Sequence, residues 1–357
     1  MLKIIHGADF HLDSPFAGLS PERAAQRRGE QRELLDRLAG LAREKRADLV
    51  LLAGDLLDSE RVYPETAQAL RAALADIPCP VYIAPGNHDF YSRRSVWATL
   101  DWPENVHIFT GGDLERIALP GCTLWGSAFL DPYRDDCPLN GLEVPDDGRL
   151  HVACLHGCVG TGNSYGPIET SDIASSGLDY LALGHVHRGS GLQKEGNTFW
   201  AYPGCPEGRG FDETGEKGIL YVEAEPGHVT ARFVPLAKYR YEILSVDLTG
   251  AADPAAAVRA AVPGDAGNLI CRIILTGEGP SPDLAALDRA LGRGFYGLTL
   301  IDRTRLPRDL WARREEDALT GLFLQTMWEK CQAEPDNELF QLAARYGLAA
   351  LEGGEEI

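Results

Sequence analysis

The segment LVLLAGDLLD, residues 49–58, decides the fold class of this chain. Its first five residues form an unbroken apolar run, which predicts a strand buried on both faces, as in a parallel sheet covered by helices. The run stops at a Gly-Asp pair, and ligand sites of open α/β sheets form just beyond the carboxyl ends of their strands. The segment therefore predicts an α/β core with polar chemistry at Asp55.

Further apolar runs in the first half of the chain end in the same way. They occupy residues 2–5, 81–84, 152–155 and 180–183. Residues 21–46 and 63–76 are charged, rich in alanine and carry a proline near their start, so we expect two helices there. Strands and helices in alternation indicate a layered α/β core. Short segments that predict closing hairpins occupy residues 122–129, 198–202, 219–223 and 229–234.

The order of predicted strands and helices changes after Pro235. Strand, helix, strand, helix and strand are predicted in turn at residues 241–248, 252–261, 269–275, 282–291 and 295–301. Such a β-α-β-α-β unit is large enough to be a small domain. We therefore expect a catalytic domain at residues 1–238, a capping or partner-docking domain at 239–347 that ends in two helices, and an acidic tail at 348–357.

Bulk composition narrows the function classes. The chain is 44% hydrophobic and 24% charged, without the long apolar stretch of a membrane span. The first residues lack signal-peptide features and the eight cysteines form no C-x-x-C pair, so we expect a cytoplasmic protein with reduced thiols. A net charge of −19 opposes nucleic-acid binding at long range, so a chain of this kind that acts on DNA requires basic patches or a basic partner.

Each of the five strands leads into residue types that bind metals. In chain order these are Asp9 and His11; Gly54 and Asp55; Gly86, Asn87, His88 and Asp89; His156; Gly184, His185 and His187. Mixed Asp, Asn and His donors suit Mn²⁺, Fe²⁺ or Zn²⁺, and the glycines let backbone segments approach closely. One fragment alone is usually a turn or a structural histidine, but the conjunction predicts a metal site. The remaining histidines are interpreted as structural: His6, His107, His151 and His228.

The order D-x-H, GD-x-x-D, GNHD, single His and GH-x-H resembles the calcineurin-type metallophosphoesterases over about residues 1–235. The resemblance implies a two-sheet sandwich flanked by helices and two divalent ions, with Mn²⁺ expected first. It implies that Asp9, His11, Asp55 and His187 hold one ion and that Asn87, His156 and His185 hold the other, with Asp55 bridging. His88 is then the general acid, and the Asp58 carboxylate orients it. The alternative for Asp58 is a helix N-cap or a solvated turn residue.

Two segments are more specific. HGADFHLDSPF at residues 6–16 and YPGCPEGRGFDETGEKG at 202–218 are similar to bacterial DNA repair exonucleases of the SbcD type, in particular its YhaO-like branch. That family more often has Asn-Pro-Gln at residues 205–207. The resemblance implies an Mn-dependent DNA exonuclease, with single-strand endonuclease activity as an extension, that acts on DNA beside an SMC-like coiled-coil ATPase and forms a homodimer. The alternatives are a small-molecule phosphodiesterase or nucleotide phosphatase, and a structural subunit.

Two features near the C-terminus each leave two interpretations open. One is an arginine cluster opposed only by Asp309 in the sequence: Arg303, Arg305, Arg308, Arg313 and Arg314. It is either a grip for phosphate or an acidic partner, or a solvated charged loop. The other is a helical apolar stripe with Trp328 beside it: Leu319, Leu322, Phe323 and Met327. It is core in the commoner case, and otherwise a docking surface for the ATPase's coiled coil.

Overall fold

The computed structural model describes residues 1–351 except 161, 265, 280, 306–310, 312 and 336. Contacts within the chain divide it into two compact units, with the division between Lys238 and Tyr239. Among the described residues, no helix combines the length and the apolar character that a bilayer crossing requires.

The first unit contains the strands and helices predicted from the apolar runs. Its strands are β1 (Leu2–Gly7), β2 (Leu49–Leu52), β3 (Val81–Ile83), β4 (Val106–Ile108), β5 (Glu115–Leu119), β6 (Cys122–Gly126), β7 (Leu150–His156), β8 (Cys158–Val159), β9 (Pro167–Ile168), β10 (Tyr180–Gly184), β11 (Gln193–Glu195), β12 (Thr198–Ala201), β13 (Gly218–Glu225) and β14 (His228–Pro235). Its helices are α1 (Pro21–Lys45), α2 (Pro64–Ala75), α3 (Val96–Thr99) and α4 (Thr170–Ser175).

The larger strands form two six-stranded sheets. The first has the order β14-β13-β1-β2-β3-β4, and the second has the order β11-β12-β10-β7-β6-β5. In each sheet the central strands are parallel, namely β1 to β4 and β12-β10-β7-β6. Antiparallel neighbours close the edges, including the predicted β13-β14 hairpin. The predicted strands β1, β2 and β3 of the first sheet therefore end at one edge of that sheet, and β7 and β10 end at one edge of the second. Residues that bind a ligand can lie at these carboxyl ends.

The two sheets pack face to face with helices outside them. One apolar core combines Ile4 and Leu51 of the first sheet with Val152 and Tyr180 of the second, all fully buried. A second core places α1 and α2 against the other face of the first sheet. A third core covers the outer face of the second sheet and includes Ile173 of α4. The predicted two-sheet sandwich flanked by helices is confirmed.

Helix α1 begins and ends where its sequence indicates. Ser20 caps the helix, its side chain accepting a hydrogen bond from the Arg23 amide, and Pro21 occupies the first turn. The helix ends at Arg46, whose φ of 50° is left-handed. The leucines of the helix lie in the core against the first sheet: Leu34, Leu35, Leu38 and Leu41.

The second unit contains the predicted β-α-β-α-β arrangement. Its elements are β15 (Arg240–Asp247), α5 (Pro254–Ala261), β16 (Leu269–Thr276), α6 (Leu284–Leu291), β17 (Gly297–Asp302), α7 (Leu319–Ala333) and α8 (Glu338–Leu351). The three strands form one parallel sheet in the order β15-β16-β17. Its buried centre includes Val258 of α5, Ile273 of β16 and Leu287 of α6. Helix α8 runs to Leu351 and so extends past the predicted start of the tail, while residues 352–357 lie outside the described residues.

Acidic residues pair with the arginine cluster, and one of them, Glu338, is distant from it in the sequence. Arg303 lies 3.2 Å from Glu338, Arg313 lies 2.9 Å from Glu316, and Arg314 lies 3.9 Å from Glu315. Arg314 also lies over the Trp328 ring. Arg308 and Asp309 lie outside the described residues. Among the arginines that the structure describes, this pairing favours a charged, solvated surface.

The apolar stripe of α7 is only partly core. Leu319 and Leu322 are 68% and 66% exposed, so the interpretation of the whole stripe as core is wrong for these two residues. Phe323, by contrast, packs against α8 at Gly347, where an added Cβ would overlap its ring. The α7-α8 hairpin therefore buries one side of the stripe and leaves two leucines in solvent.

Candidate metal centre

All of the predicted ligands follow strands of the two sheets. Asp9 and His11 follow β1, Asp55 follows β2, Asn87 follows β3, His156 ends β7, and His185 and His187 follow β10. Because the first three strands are parallel neighbours, as are β7 and β10, their carboxyl ends lie side by side. The two-sheet packing then places both groups of loops at one site.

One cluster contains Asp9, His11 and His187. Each residue offers one ligand atom, and these atoms lie within 4.8 Å of one another. The Nε2 atoms of His11 and His187 face each other at 3.0 Å. His11 Nε2 also lies 3.7 Å from Asp55 Oδ2, which connects this cluster to the next one.

The second cluster contains Asp55, His156 and His185, again within 4.8 Å. Asp55 Oδ2 lies 3.5 Å from His156 Nε2. The side-chain oxygen of Asn87 lies 3.0 Å from His156 Nε2 and 3.2 Å from His185 Nδ1. Asp55 is thus near a histidine of each cluster, which is the position that a bridging ligand requires.

The histidine tautomers fit cations in both clusters. His156 Nδ1 donates to the Ala53 carbonyl at 2.9 Å, so its Nε2 presents a lone pair toward the Asn87 oxygen. His187 Nδ1 donates to Glu213 at 2.6 Å, so its Nε2 presents a lone pair toward His11. Two lone pairs facing each other repel, whereas a cation between them is favourable, and such fixed tautomers are usual for metal-binding histidines.

Burial keeps the imidazoles in their neutral, ligating form. Burial lowers the pKa of His11 to about 4, and burial together with His156 lowers the pKa of His185 to about 4. Burial opposes ionisation of Asp55, but its histidine neighbours, led by His156, hold its pKa below the usual value. At neutral pH the neutral imidazoles of His11 and His185 therefore lie beside an ionised Asp55.

Strained backbone accompanies the ligands. Asp9, His11, Asp55 and His185 have positive φ values of 55°, 44°, 51° and 110°. Non-glycine residues rarely adopt this region, and the strain is of order 1–3 kcal/mol at each residue. The surrounding sheets hold these ligands in conformations that the isolated loops disfavour.

Glycines at the strand ends let the loops of the two sheets touch. A Cβ at Gly184 would overlap the carbonyl oxygen of Ala53, and a Cβ at Gly54 would overlap the His156 ring. A Cβ at Gly86 would overlap the Asp55 side chain. The predicted close approach at these three positions is confirmed, and we call them the glycine seam.

His88 is exposed at the edge of the site. Its Nδ1 donates to the backbone carbonyl of Asp58 at 3.0 Å, and its ring meets the His11 ring edge-on at 4.7 Å. Its amide donates to Asp55 Oδ1 at 2.9 Å. Since Nδ1 is held by the carbonyl, Nε2 is the nitrogen that is free to exchange a proton with a bound phosphoester.

Asp58 accepts the His88 hydrogen bond through its backbone carbonyl, and its carboxylate lies within 4.8 Å of ring nitrogens of both His88 and His11. Asp58 Oδ1 accepts from Ser14 Oγ and Arg209 at 3.0 Å each, and lies 3.2 Å from His11 Nδ1. The carboxylate is therefore placed to orient His11, whereas the family resemblance assigned it to His88. Its pKa is held low, against the effect of burial, by His11 and Arg209.

Three residues of the site, Asp89, Arg209 and Glu213, were given no role from the sequence. Asp89 is buried and accepts hydrogen bonds from the amides of Asp55, Leu56, Leu57 and Gly86, which ties the β2 and β3 loops together. Burial and the charge of Asp55 raise the pKa of Asp89 to about 7. Arg209 and Glu213 form an ion pair at 3.0 Å beside His187. Both belong to the 202–218 segment, whose likeness to the exonucleases was the available signal.

The fold and the site together define a class of metal-dependent phosphoester hydrolases. A family model described as calcineurin-like phosphoesterase matches residues 2–189, and the chain belongs to this family. The family uses a dinuclear metal site, and both His/Asp clusters are groups that can hold an ion.

Curated relatives narrow the type. The chain is 32% identical over 278 residues to the uncharacterized metallophosphoesterase YhaO of Bacillus subtilis, covering 70% of this chain and 64% of that protein. It is 26% identical to the SbcD component of the Bacillus subtilis nuclease SbcCD, covering 63% of this chain and 67% of the relative. A Staphylococcus saprophyticus protein of the same name is 24% identical, over 67% and 70% of the two chains. These relatives support the SbcD/YhaO type.

Proposed function

We propose that this chain is an Mn²⁺-dependent DNA nuclease that hydrolyses phosphodiesters exonucleolytically and, on single strands, endonucleolytically. The observation that carries the proposal is the convergence of seven ligand-type side chains from two sheets, with the proton-exchanging nitrogen of His88 free at their edge. The similarity to relatives named as SbcD components of the nuclease SbcCD supports DNA as the substrate.

In this proposal Asp9, His11, Asp55 and His187 hold one ion. Asn87, His156 and His185 hold the second ion, and Asp55 bridges. Bound ions of this kind supply Lewis-acid stabilisation of phosphoryl charge and an activated water. Mn²⁺ is proposed because the donors are mixed nitrogen and oxygen and include no thiolate, which also suits Fe²⁺ or Zn²⁺.

The protein's own groups perform the remaining steps. His88 donates a proton from Nε2 to the leaving oxygen, while the Asp58 carbonyl keeps Nδ1 occupied. Asp58 and Glu213 orient His11 and His187 through the nitrogens that do not face the cluster. Asp89 keeps the β2 and β3 loops together, so that Asp55 and His88 stay in reach of one phosphoester.

Two partners complete the proposal. An SMC-like coiled-coil ATPase fits the exposed leucines of the α7-α8 hairpin and would supply the DNA-binding surface that a chain of net charge −19 lacks. Two of the relatives carry names that make them one component of a larger nuclease. A homodimer through α1 or α2 is also proposed, and sedimentation of the purified chain measures it.

The decisive experiment compares substrates at one site. Labelled linear duplex DNA, single-stranded DNA and bis-p-nitrophenyl phosphate are each incubated with Mn²⁺ and the wild-type chain, and an Asp55→Asn variant is run in parallel. DNA degradation that the variant lacks supports the nuclease. Hydrolysis of the small ester alone, also with the ATPase present, contradicts it and favours a small-molecule phosphodiesterase or nucleotide phosphatase.

A further inference from the structure

A pair of aromatic rings, the half-buried Tyr165 and the exposed Tyr133, continues outward from the metal centre. The Tyr165 ring stacks on the imidazole of His185, with centroids 5.0 Å apart and 28° between planes. The Tyr133 ring lies 5.7 Å from the Tyr165 ring, and Tyr133 is 64% exposed. We call Tyr133 and Tyr165 the tyrosine platform. A large exposed ring beside a ligand cluster is unusual for a residue that serves packing alone.

Backbone contacts fix the platform in place. The Arg134 amide donates to the Ser164 carbonyl at 2.9 Å, and the Gly166 amide donates to the Arg134 carbonyl at 2.7 Å. The Asn163 side chain accepts from the Tyr165 amide at 3.0 Å. The two loops that carry the tyrosines are therefore joined, and each ring is presented from an anchored backbone.

The charge around Tyr133 decides what the platform can hold. The segment DPYRDD at residues 131–136 contains three carboxylates and one guanidinium. That guanidinium, of Arg134, lies 3.0 Å from Asp136. The loop thus carries a net negative charge and repels phosphate, while the exposed phenol ring remains a flat, uncharged surface. Such a surface accepts a planar π system, and nucleobases stack on aromatic side chains irrespective of their sequence.

We infer that the tyrosine platform binds an unpaired nucleobase of the substrate strand, within a few nucleotides of the phosphodiester at the metal centre. The inference rests on the proposed function and adds to it a preference for frayed or single-stranded ends. Two ring contacts, with centroid distances of 5.7 Å and 5.0 Å, lead from Tyr133 through Tyr165 to His185. Because stacked nucleotides rise roughly 3.4 Å each, this distance corresponds to a few nucleotides.

The test uses Tyr133, since Tyr165 touches a residue of the ligand set. The fluorescence of a short single-stranded phosphorothioate DNA, with one 2-aminopurine a few nucleotides from its terminal phosphate, is titrated with the Mn²⁺-loaded wild-type chain and with Tyr133→Ala and Tyr133→Phe. Stacking quenches this base, and its loss is worth roughly 1–3 kcal/mol, or about 5-fold or more in affinity. We expect Tyr133→Ala to lose that affinity and Tyr133→Phe to stay within about 2-fold of wild type.

A matched control is Phe233→Ala, which removes another exposed ring of the same unit. Deoxyribose 5-phosphate, which has no base, should compete equally well with wild type and Tyr133→Ala. Equal oligonucleotide affinity and equal quenching in Tyr133→Ala and wild type overturn the inference and leave the nuclease proposal standing. If the wild-type chain quenches the base but cleaves no DNA, the inference about the tyrosine platform stands and the proposed nuclease function is wrong.

Discussion

At the scale of single residues, the hydrogen bond between Glu213 and His187 determines which imidazole nitrogen faces the ligand cluster. Its length of 2.6 Å, the adjacent Arg209 and the burial of Glu213 make it a charge-assisted contact. Burial opposes ionisation of Glu213, but its hydrogen bonds with His187 and Arg209 and the charge of Arg209 hold its pKa well below the usual range. Glu213 therefore stays ionised and keeps His187 in one tautomer.

Replacing Glu213 by Gln should weaken metal binding more than it weakens the fold. The amide is a poorer acceptor for His187 Nδ1 and also releases Arg209, so we expect Mn²⁺ affinity to fall roughly 10- to 100-fold. Isothermal titration with Mn²⁺ measures this, and Glu225→Gln, at the exposed end of β13, is the matched control. Unchanged affinity in Glu213→Gln would show that His187 needs no fixed tautomer.

His6 provides a pH prediction apart from the ligands. It is fully buried between the Tyr180 hydroxyl and the Leu183 carbonyl, and burial lowers its pKa from 6.5 to about 3. The unfolded chain binds a proton below pH 6.5 that the folded state excludes, so stability is lost as pH falls from 6.5 towards 3. The contribution of this single proton is about 1.4 kcal/mol per pH unit.

Urea unfolding of the metal-free chain between pH 6 and pH 4 measures that contribution. The variant His6→Gln, which can still pair with Tyr180 and Leu183, should show a pH slope shallower than wild type by about one proton's share. Identical slopes in the two proteins would contradict the assignment of a neutral buried His6.

The residue types at the strand ends predicted which side chains meet, because each ligand lies within a few residues of an apolar run. The supporting residues could not be predicted in this way. Glu213 lies 26 positions from His187 in an irregular segment, and the contact exists only once the chain has folded. The contacts of the Asp58 carboxylate with His11 and of its backbone carbonyl with His88 could not be predicted for the same reason, since sequence spacing does not give side-chain direction.

At the scale of elements, a buried ion pair connects helix α1 to the 202–218 segment. Arg27 is 1% exposed and lies 2.7 Å from Glu207, while its other nitrogen lies 2.9 Å from Glu30. Glu207 is also buried, and its charge has a partner on α1.

The two partners should differ in the cost of their removal. Arg27→Met leaves the Glu207 charge buried without its guanidinium and should reduce the free energy of unfolding by about 3–5 kcal/mol. Glu207→Gln should cost only about 1 kcal/mol, because Arg27 retains Glu30 and an amide oxygen can still accept its hydrogen bond. Urea unfolding with a double-mutant cycle measures both. Equal costs would show that the pair is not effectively buried.

The α7-α8 hairpin gives a prediction about the proposed ATPase partner. The substitution Leu322→Lys should weaken binding to the coiled coil of the proposed SMC-like ATPase at least 10-fold, since a charge would enter an apolar contact. Mn²⁺-dependent hydrolysis of bis-p-nitrophenyl phosphate should not change. Thr230→Lys, an exposed position on β14, is the control, and calorimetric titration with the coiled-coil segment gives the affinities. Unchanged affinity in Leu322→Lys would remove the hairpin from the interface.

Element prediction succeeded where apolar runs were long and failed where they were short. The buried strands β2 and β10 consist of apolar residues throughout, apart from the final glycine of β10, and the continuous apolar run with the residues that end it identifies them. The edge strand β5 is largely exposed and the paired β8 and β9 contain two residues each, so their sequences carry no comparable signal. Their pairing depends on neighbours that only the fold provides.

At the scale of the whole molecule, the two units have separate hydrophobic cores. The cores of the first unit end at Leu236, and that of the second begins with Leu244. Residues 1–238 alone should therefore fold cooperatively, bind Mn²⁺ and hydrolyse bis-p-nitrophenyl phosphate at near wild-type rates. If the second unit is a capping domain, DNA degradation should fall at least 10-fold. Circular dichroism and the two assays measure this, and loss of Mn²⁺ binding would contradict the division into domains.

The glycine seam has a consequence for the tolerance of this protein to change. Gly54, Gly86 and Gly184 carry no proton, charge or ligand atom, yet each lies where a single methyl group would collide with backbone or with a metal-ligand residue. In a library that samples every single substitution and selects for nuclease function, these positions should accept no replacement, like Asp55. Such a screen would count them among the active-site residues, although their contribution is the empty space that they leave.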